Sequence, residues 1–231
     1  MKKPTNIISL LLLAIGLGAV LPLAFAPFQF WWIAPLVLAA WQLMIQTQSK
    51  RRQFWLSYLL GLSLFTVGLW WIRISINQFG GAPLSLAITL VILLSSYLAL
   101  YYGALGYLTH KFKLGMICRY LILFPTLGTL LELLRAHLFT GFPWLAMGYT
   151  LTPTLFAQEL FPAFGALISS FIVYWCAGAS VVLCSALYKA TLLKGIGGVL
   201  ATLSIIVGLT VALNHFYSDA IQENSESINI A

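Results

Sequence analysis

The chain has 231 residues, of which 61% are hydrophobic and only 7% charged, and its mean hydropathy is +0.97. Soluble domains hold roughly 45–50% apolar residues, so composition excludes one and predicts an all-α, polytopic transmembrane helical bundle. The net charge of +7 does not signal a nucleic-acid partner, because the basic residues sit in short loops between apolar runs rather than on one soluble surface.

Crossing a bilayer takes ~20 apolar residues, and about seven such runs are legible: 6–25, 30–47, 54–73, 84–109, 118–139, 161–188 and 193–214. Lys2-Lys3 precede the first. With that run and Ala24-Phe25-Ala26 they imitate a cleavable signal peptide. Pro27 would follow the cut directly, where its ring and missing N–H hinder a protease, so the first span is expected to stay. Lys50-Arg51-Arg52 follow the second run, Lys111, Lys113 and Arg119 the fourth, and Lys189 and Lys194 the sixth. Every Lys and Arg except Arg73 and Arg135 falls in these clusters, all on one side of a seven-span chain. The positive-inside rule makes that side cytoplasmic. The N-terminus is then cytoplasmic, and the C-terminus, with Asp219, Glu223 and Glu226, is outside.

The third run ends at Arg73 and leads into Asn77-Gln78-Phe79-Gly80-Gly81-Ala82-Pro83, which reads as a flexible outer turn. The fifth run carries Glu132 and Arg135 and stops at Gly141-Phe142-Pro143-Trp144. Three residues apart on a helix, Glu132 and Arg135 share a face and are near enough to pair. A charge deep in hydrocarbon costs about 2.5–3.5 kcal/mol, so such residues are candidates for function. The outer segment from about Thr140 to Leu160, with Pro143 and Pro153, is expected to hold a turn and a short helix. Trp31, Trp32, Trp70, Trp71 and Trp144 lie near outer ends and read chiefly as an interfacial belt. Residues 1–217 are expected to form the membrane domain and 218–231 a short polar tail.

Three stretches, in this order, carry a resemblance: Leu23 to Trp31, Gly68 to Gly81, and Glu132 to Tyr149. Together they resemble the membrane part of the apolipoprotein N-acyltransferase family, over about residues 10–215. The resemblance implies a bacterial inner-membrane enzyme of lipoprotein biosynthesis. It would move an acyl chain from a phospholipid to the N-terminal cysteine of a lipoprotein. It also implies a periplasmic nitrilase-like domain with a Glu–Lys–Cys triad after the seventh span. The sequence ends at Ala231, where that domain is expected to begin, so the chain is expected to be truncated before it and inactive alone.

No triad assembles from the residues at hand. Cys118 is at a cytoplasmic helix end, and Cys176 and Cys184 are within a span, where a thiolate is disfavoured. They read as packing residues. Lys189 and Lys194 are across the membrane from Glu132 and Glu159. His110, His137 and His215 lack metal-ligand spacing, so no metal and no cofactor is expected.

The functional candidates are Arg73, Glu132, Arg135, Phe142, Pro143, Trp144 and Glu159. As an outer-leaflet entry surface, Arg73 and Arg135 would hold a phosphate by charge-assisted bonds, and Phe142 and Trp144 would pack on acyl chains. As plain structure, Glu132–Arg135 would be a satisfied ion pair, Gly141-Phe-Pro-Trp a helix stop and the aromatics anchors. Both readings stand. The partners expected are membrane phospholipid and a lipoprotein or a separate nitrilase-like catalytic chain. The alternatives are a membrane anchor for that chain, or a small lipid-handling protein. A carrier fits least, for want of an intramembrane ionisable relay and Gly/Pro-broken helix pairs.

Overall fold

The computed structural model of the protein describes residues 6–188, 191–204 and 207, with side chains for all of these except 155–160 and 162–164. Every regular element among the described residues is helical. Helix α1 (Ile7–Val20) begins where Asn6 Oδ1 accepts from Ile8 N at 3.1 Å, and it tightens into a 3-10 turn at Leu21–Ala24. Then come α2 (Ile33–Ile45), α3 (Lys50–Gly68), α4 (Ile72–Phe79), α5 (Leu84–Lys111), α6 (Phe124–His137), α7 (Leu155–Tyr188) and α8 (Leu192–Ser204). A wide π turn, Cys118–Leu123, leads into α6 and sets Pro125 in its first turn, where a missing N–H breaks no helical bond.

Four of the expected spans are long and apolar enough to cross a membrane: Ile7–Ala24, Leu84–Lys111, Cys118–Thr140 and Gly165–Tyr188. The third is not one straight helix. It bends by 54° between α3 and α4, and counts as a fifth span only if the two halves are taken together. The break follows Gly68, where a Cβ would come within 2.5 Å of Leu145 Cδ1. Helix α2 has 13 residues and is about 20 Å long at 1.5 Å per residue, short of the ~30 Å hydrocarbon core. Helix α8 is likewise a shorter apolar helix; the rest of the run expected to 214 lies outside the described residues. So do Lys2, Lys3, Lys189, His215 and the polar tail. Residues 77–79, expected in a flexible turn, continue α4 as a wide helical turn, and Asn77 Nδ2 donates to Ala82 O at 2.7 Å.

Packing follows the rule for helices in lipid, where association rests on close backbone approach more than on hydrophobicity. Helices α3 and α5 are the most intimate pair. A Cβ on Gly106 would overlap Ser57 Oγ, and one on Gly61 would fall 2.8 Å from Tyr102 Cβ. Trp41, fully buried, donates to Ser57 Oγ at 3.1 Å, and its ring meets Tyr102 and Phe124 at 6.0 Å each. Leu12 and Leu93, each 65% exposed, belong to the apolar outer surface of the bundle.

Candidate functional site

The candidate site is built where α6 ends. Phe139, Thr140 and Gly141 take successive positive φ values of 51°, 73° and 80° and turn the chain back over the helix. Gly141 has no alternative, because a Cβ there would overlap Ala136 O. Phe142 N then donates to Arg135 O at 2.9 Å.

Two buried charges of α6 hold the chain beyond this turn. Arg135, 2% exposed, donates through Nη1 to Phe142 O at 3.2 Å and to Trp144 O at 2.5 Å. Its guanidinium also sits 5.2 Å from the centre of the Phe65 ring. Glu132, 6% exposed, accepts at Oε1 from Met147 N at 3.0 Å and from Tyr174 Oη at 2.9 Å. Gly148 N donates to Ser170 Oγ at 2.8 Å. Helices α6 and α7 thereby fix one short strap, residues 142–148, from both sides. Hydrogen bonds to charged groups contribute ~1.5–3 kcal/mol each, so this strap is held more firmly than an ordinary surface loop.

The expected ion pair is not formed. Glu132 Oε1 is engaged by Met147 and Tyr174, and Oε2 has no hydrogen-bond partner. The physical reason is local: backbone N–H and C=O groups of a partly buried strap need partners, and the two side chains supply one acceptor and one donor.

The strap carries an aromatic platform. Trp144, 53% exposed, lies 6.1 Å from Trp71 and 6.1 Å from Phe142, ring centre to ring centre. Arg73, half-buried on α4, stacks 5.1 Å over Trp70, and its Nε has no hydrogen-bond partner. Beside this platform opens a mainly apolar cavity of about 380 Å³, lined by Phe25, Ala26, Pro143, Trp144, Leu145, Tyr149 and Thr152. A second cavity of about 210 Å³ lies behind the strap, between α6 and α7 at the Gly165 break, and has Glu132, Pro143 and Ser170 in its wall.

The structure thus gathers Glu132, Arg135, Phe142, Pro143 and Trp144 into one unit, with Arg73 reaching its rim through Trp70 and Trp71. The side chain of Glu159 lies outside the described residues. Phe25, Tyr149, Ser170 and Tyr174 are not among the candidates from sequence; Phe25 and Tyr149 fall within the stretches that carry the resemblance, and Ser170 and Tyr174 fall outside them. For Tyr174 no local signal existed, since its partner is 42 residues away. Phe25 and Ala26 fall within the Leu23–Trp31 stretch, but nothing in the sequence ties them to Trp144. Of the cysteines, Cys118 and Cys184 are exposed and Cys176 is half-buried; all are free thiols.

Comparison with known proteins agrees with the motifs. Residues 17–179 match the apolipoprotein N-acyltransferase N-terminal domain. An apolipoprotein N-acyltransferase of Pasteurella multocida (strain Pm70) is 39% identical over 175 residues, which is 76% of this chain and 33% of that protein. One from Haemophilus influenzae (strain ATCC 51907 / DSM 11121 / KW20 / Rd) is 33% identical over 222 residues, 95% of this chain and 41% of that protein. One from Shewanella oneidensis (strain MR-1) is 39% identical over 188 residues, 79% of this chain and 36% of that protein. The chain therefore spans less than half the length of these relatives. With four to five helices among the described residues fit to cross a membrane, it is a multi-pass membrane protein, and it belongs to the apolipoprotein N-acyltransferase family through that family's N-terminal domain.

Proposed function

We propose that these 231 residues form the membrane unit that captures a phospholipid for acyl transfer to a lipoprotein in the bacterial inner membrane. In this reading the apolar cavity beside Trp144 takes part of an acyl chain, and Arg73 takes the headgroup phosphate. The observation that carries it is the strap: two buried charges are committed to setting Trp144 against a cavity of about 380 Å³ at the rim of an otherwise lipid-covered bundle. A phosphate is best met by an arginine with free donors; Arg73 stacks on Trp70 and makes no hydrogen bond among the described residues, whereas Arg135 is committed to carbonyl oxygens.

The chain is taken to cross the membrane seven times, with its N-terminus cytoplasmic and Ala231 periplasmic. The basic residues support this. Lys50, Arg51, Arg52, Lys111, Lys113, Arg119 and Lys194 all lie at or near the start of α3, α6 and α8 or the end of α5, one end of the bundle. The strap and Arg73 lie at the other end.

Acyl transfer itself is assigned to a nitrilase-like catalytic unit outside these residues, joined to this chain or separately encoded. Acyl transfer through a thioester needs a thiolate beside a base. Glu132 is engaged by Met147 and Tyr174, and the described lysines, Lys50, Lys111, Lys113 and Lys194, lie at the opposite end. The purified chain with phospholipid and a diacylated lipoprotein is expected to yield no N-acylated product. Phospholipid capture is tested by energy transfer from tryptophan to a pyrene-labelled phospholipid. Saturable transfer whose half-saturation rises several-fold in Trp144→Ala and in Arg73→Gln supports the reading. Transfer that does not saturate, or is unchanged in both variants, rejects it.

A further inference from the structure

The basic end of the bundle holds a second surface with a different chemistry. A groove of about 450 Å³ runs between the start of α3 and the last turns of α5, lined by Lys50, Arg51, Phe54, Trp55 and Tyr107. Its aromatic floor is built. Phe54 and Trp55 meet edge to face at 5.3 Å, Trp55 and Tyr58 at 5.6 Å, and Phe54 stacks on Tyr58 at 6.4 Å. Phe54 lies so close to α5 that a Cβ on Gly103 would come within 2.9 Å of its ring. Trp55 remains 50% exposed.

The cations of this groove find no acidic partner among the described side chains. The N-terminus of a helix carries partial positive charge and favours acids, yet α3 opens with Lys50-Arg51-Arg52 and has no acid in its first turn. Among the described side chains the one carboxylate is Glu132, which is engaged at the opposite end of the bundle. Lys50 and Arg51 are exposed, have no carboxylate partner among the described side chains, and line the same groove as the exposed Trp55.

We propose that this groove binds the headgroup of an anionic phospholipid, with Lys50 and Arg51 on the phosphate and with Trp55, Phe54 and Tyr107 against the glycerol and upper acyl chain. A soluble phosphate would use the cations and the helix N-terminus but not the aromatic wall; a zwitterionic lipid would use the wall but carries no net charge. An anionic lipid uses both. Basic pockets between spans at the cytoplasmic side are suited to such headgroups, and in the orientation proposed for the chain this end faces the inner leaflet. The site is separate from the Trp144 cavity and stands whether or not that cavity binds lipid.

The test is native mass spectrometry of the full chain released from vesicles of equal phosphatidylglycerol and phosphatidylcholine. The wild type is expected to retain phosphatidylglycerol preferentially. A direct charge-assisted contact to a bound phosphate changes binding by about tenfold or more, so Lys50→Gln/Arg51→Gln is expected to cut the preference at least about tenfold. Lys111→Gln/Lys113→Gln removes the same charge from the same end but not from the groove, and is expected to leave the preference within about twofold. A second measurement does not rely on the charge variants: brominated phosphatidylglycerol should quench wild-type emission more than brominated phosphatidylcholine does, and Trp55→Phe should abolish that excess. Equal loss in both double variants, no preference in the wild type, or an excess that survives Trp55→Phe would each overturn the proposal.

Discussion

Glu132 and Arg135, one turn apart on α6, bind the same strap instead of each other: Glu132 Oε1 accepts from Met147 N, and Arg135 Nη1 donates to Phe142 O and Trp144 O. An acceptor for an N–H and a donor for two carbonyls are complementary tasks. Neither residue does the other's work.

Removing both should therefore not rescue the loss of one. Each charge-assisted bond contributes ~1.5–3 kcal/mol, and Arg135→Gln loses two such bonds. It is expected to lower the thermal midpoint in detergent more than Glu132→Gln, whose amide oxygen can still accept from Met147. The double variant should be at least as unstable as Arg135→Gln. A double variant more stable than either single would restore the ion pair that the sequence suggested.

Tyr174→Phe tests the other anchor of Glu132. It removes the Oη that donates to Oε1 at 2.9 Å and leaves the ring against Phe124 at 5.5 Å. The expected cost is about 1.5–3 kcal/mol, since the acceptor is a buried charge. Unfolding indistinguishable from wild type would mean the tyrosine packs without bonding.

Glycine position separates backbone demand from mere smallness. Gly141→Ala meets both φ 80° and Ala136 O, so it should destabilise by more than the ~1–3 kcal/mol typical of a strained residue. It should also shift Trp144 emission. Gly16→Ala lies within α1 with nothing near its Cβ, and is expected to be neutral or to stabilise by about 0.5–1 kcal/mol. Equal effects of the two would remove the case that the strap depends on the Gly141 turn.

Topology has its own test. A reporter active only in the periplasm, fused after Ala231, should be active, and one fused in the loop at Gly115 should not. The reverse pattern would invert the bundle, and activity at both would reject an odd number of crossings.

The fold class was legible because lipid forces it: long apolar runs with no polar backbone partner outside the helix can only be helices. Helix ends were legible from the basic clusters and from Gly141 and Pro143. The bend after Gly68 was not, because it depends on Leu145, which reaches α3 from a loop 77 positions later. The same limit hid Tyr174 and Ser170 behind Glu132 and Gly148. Spacing of three put Glu132 and Arg135 on one face correctly, yet could not reveal that a returning strap would come between the charges and the pairing they otherwise prefer.

The central claim is that a phospholipid acyl chain enters the cavity beside Trp144. The direct measurement is photocross-linking with a phospholipid carrying a photoreactive group on its acyl chain, with peptide mapping of the full chain in vesicles. The account predicts that adducts concentrate on residues 142–152 and 25–26 and fall sharply in Trp144→Ala. Adducts spread over the lipid-facing flanks at Leu12 and Leu93, with none above that level in the strap, would contradict it.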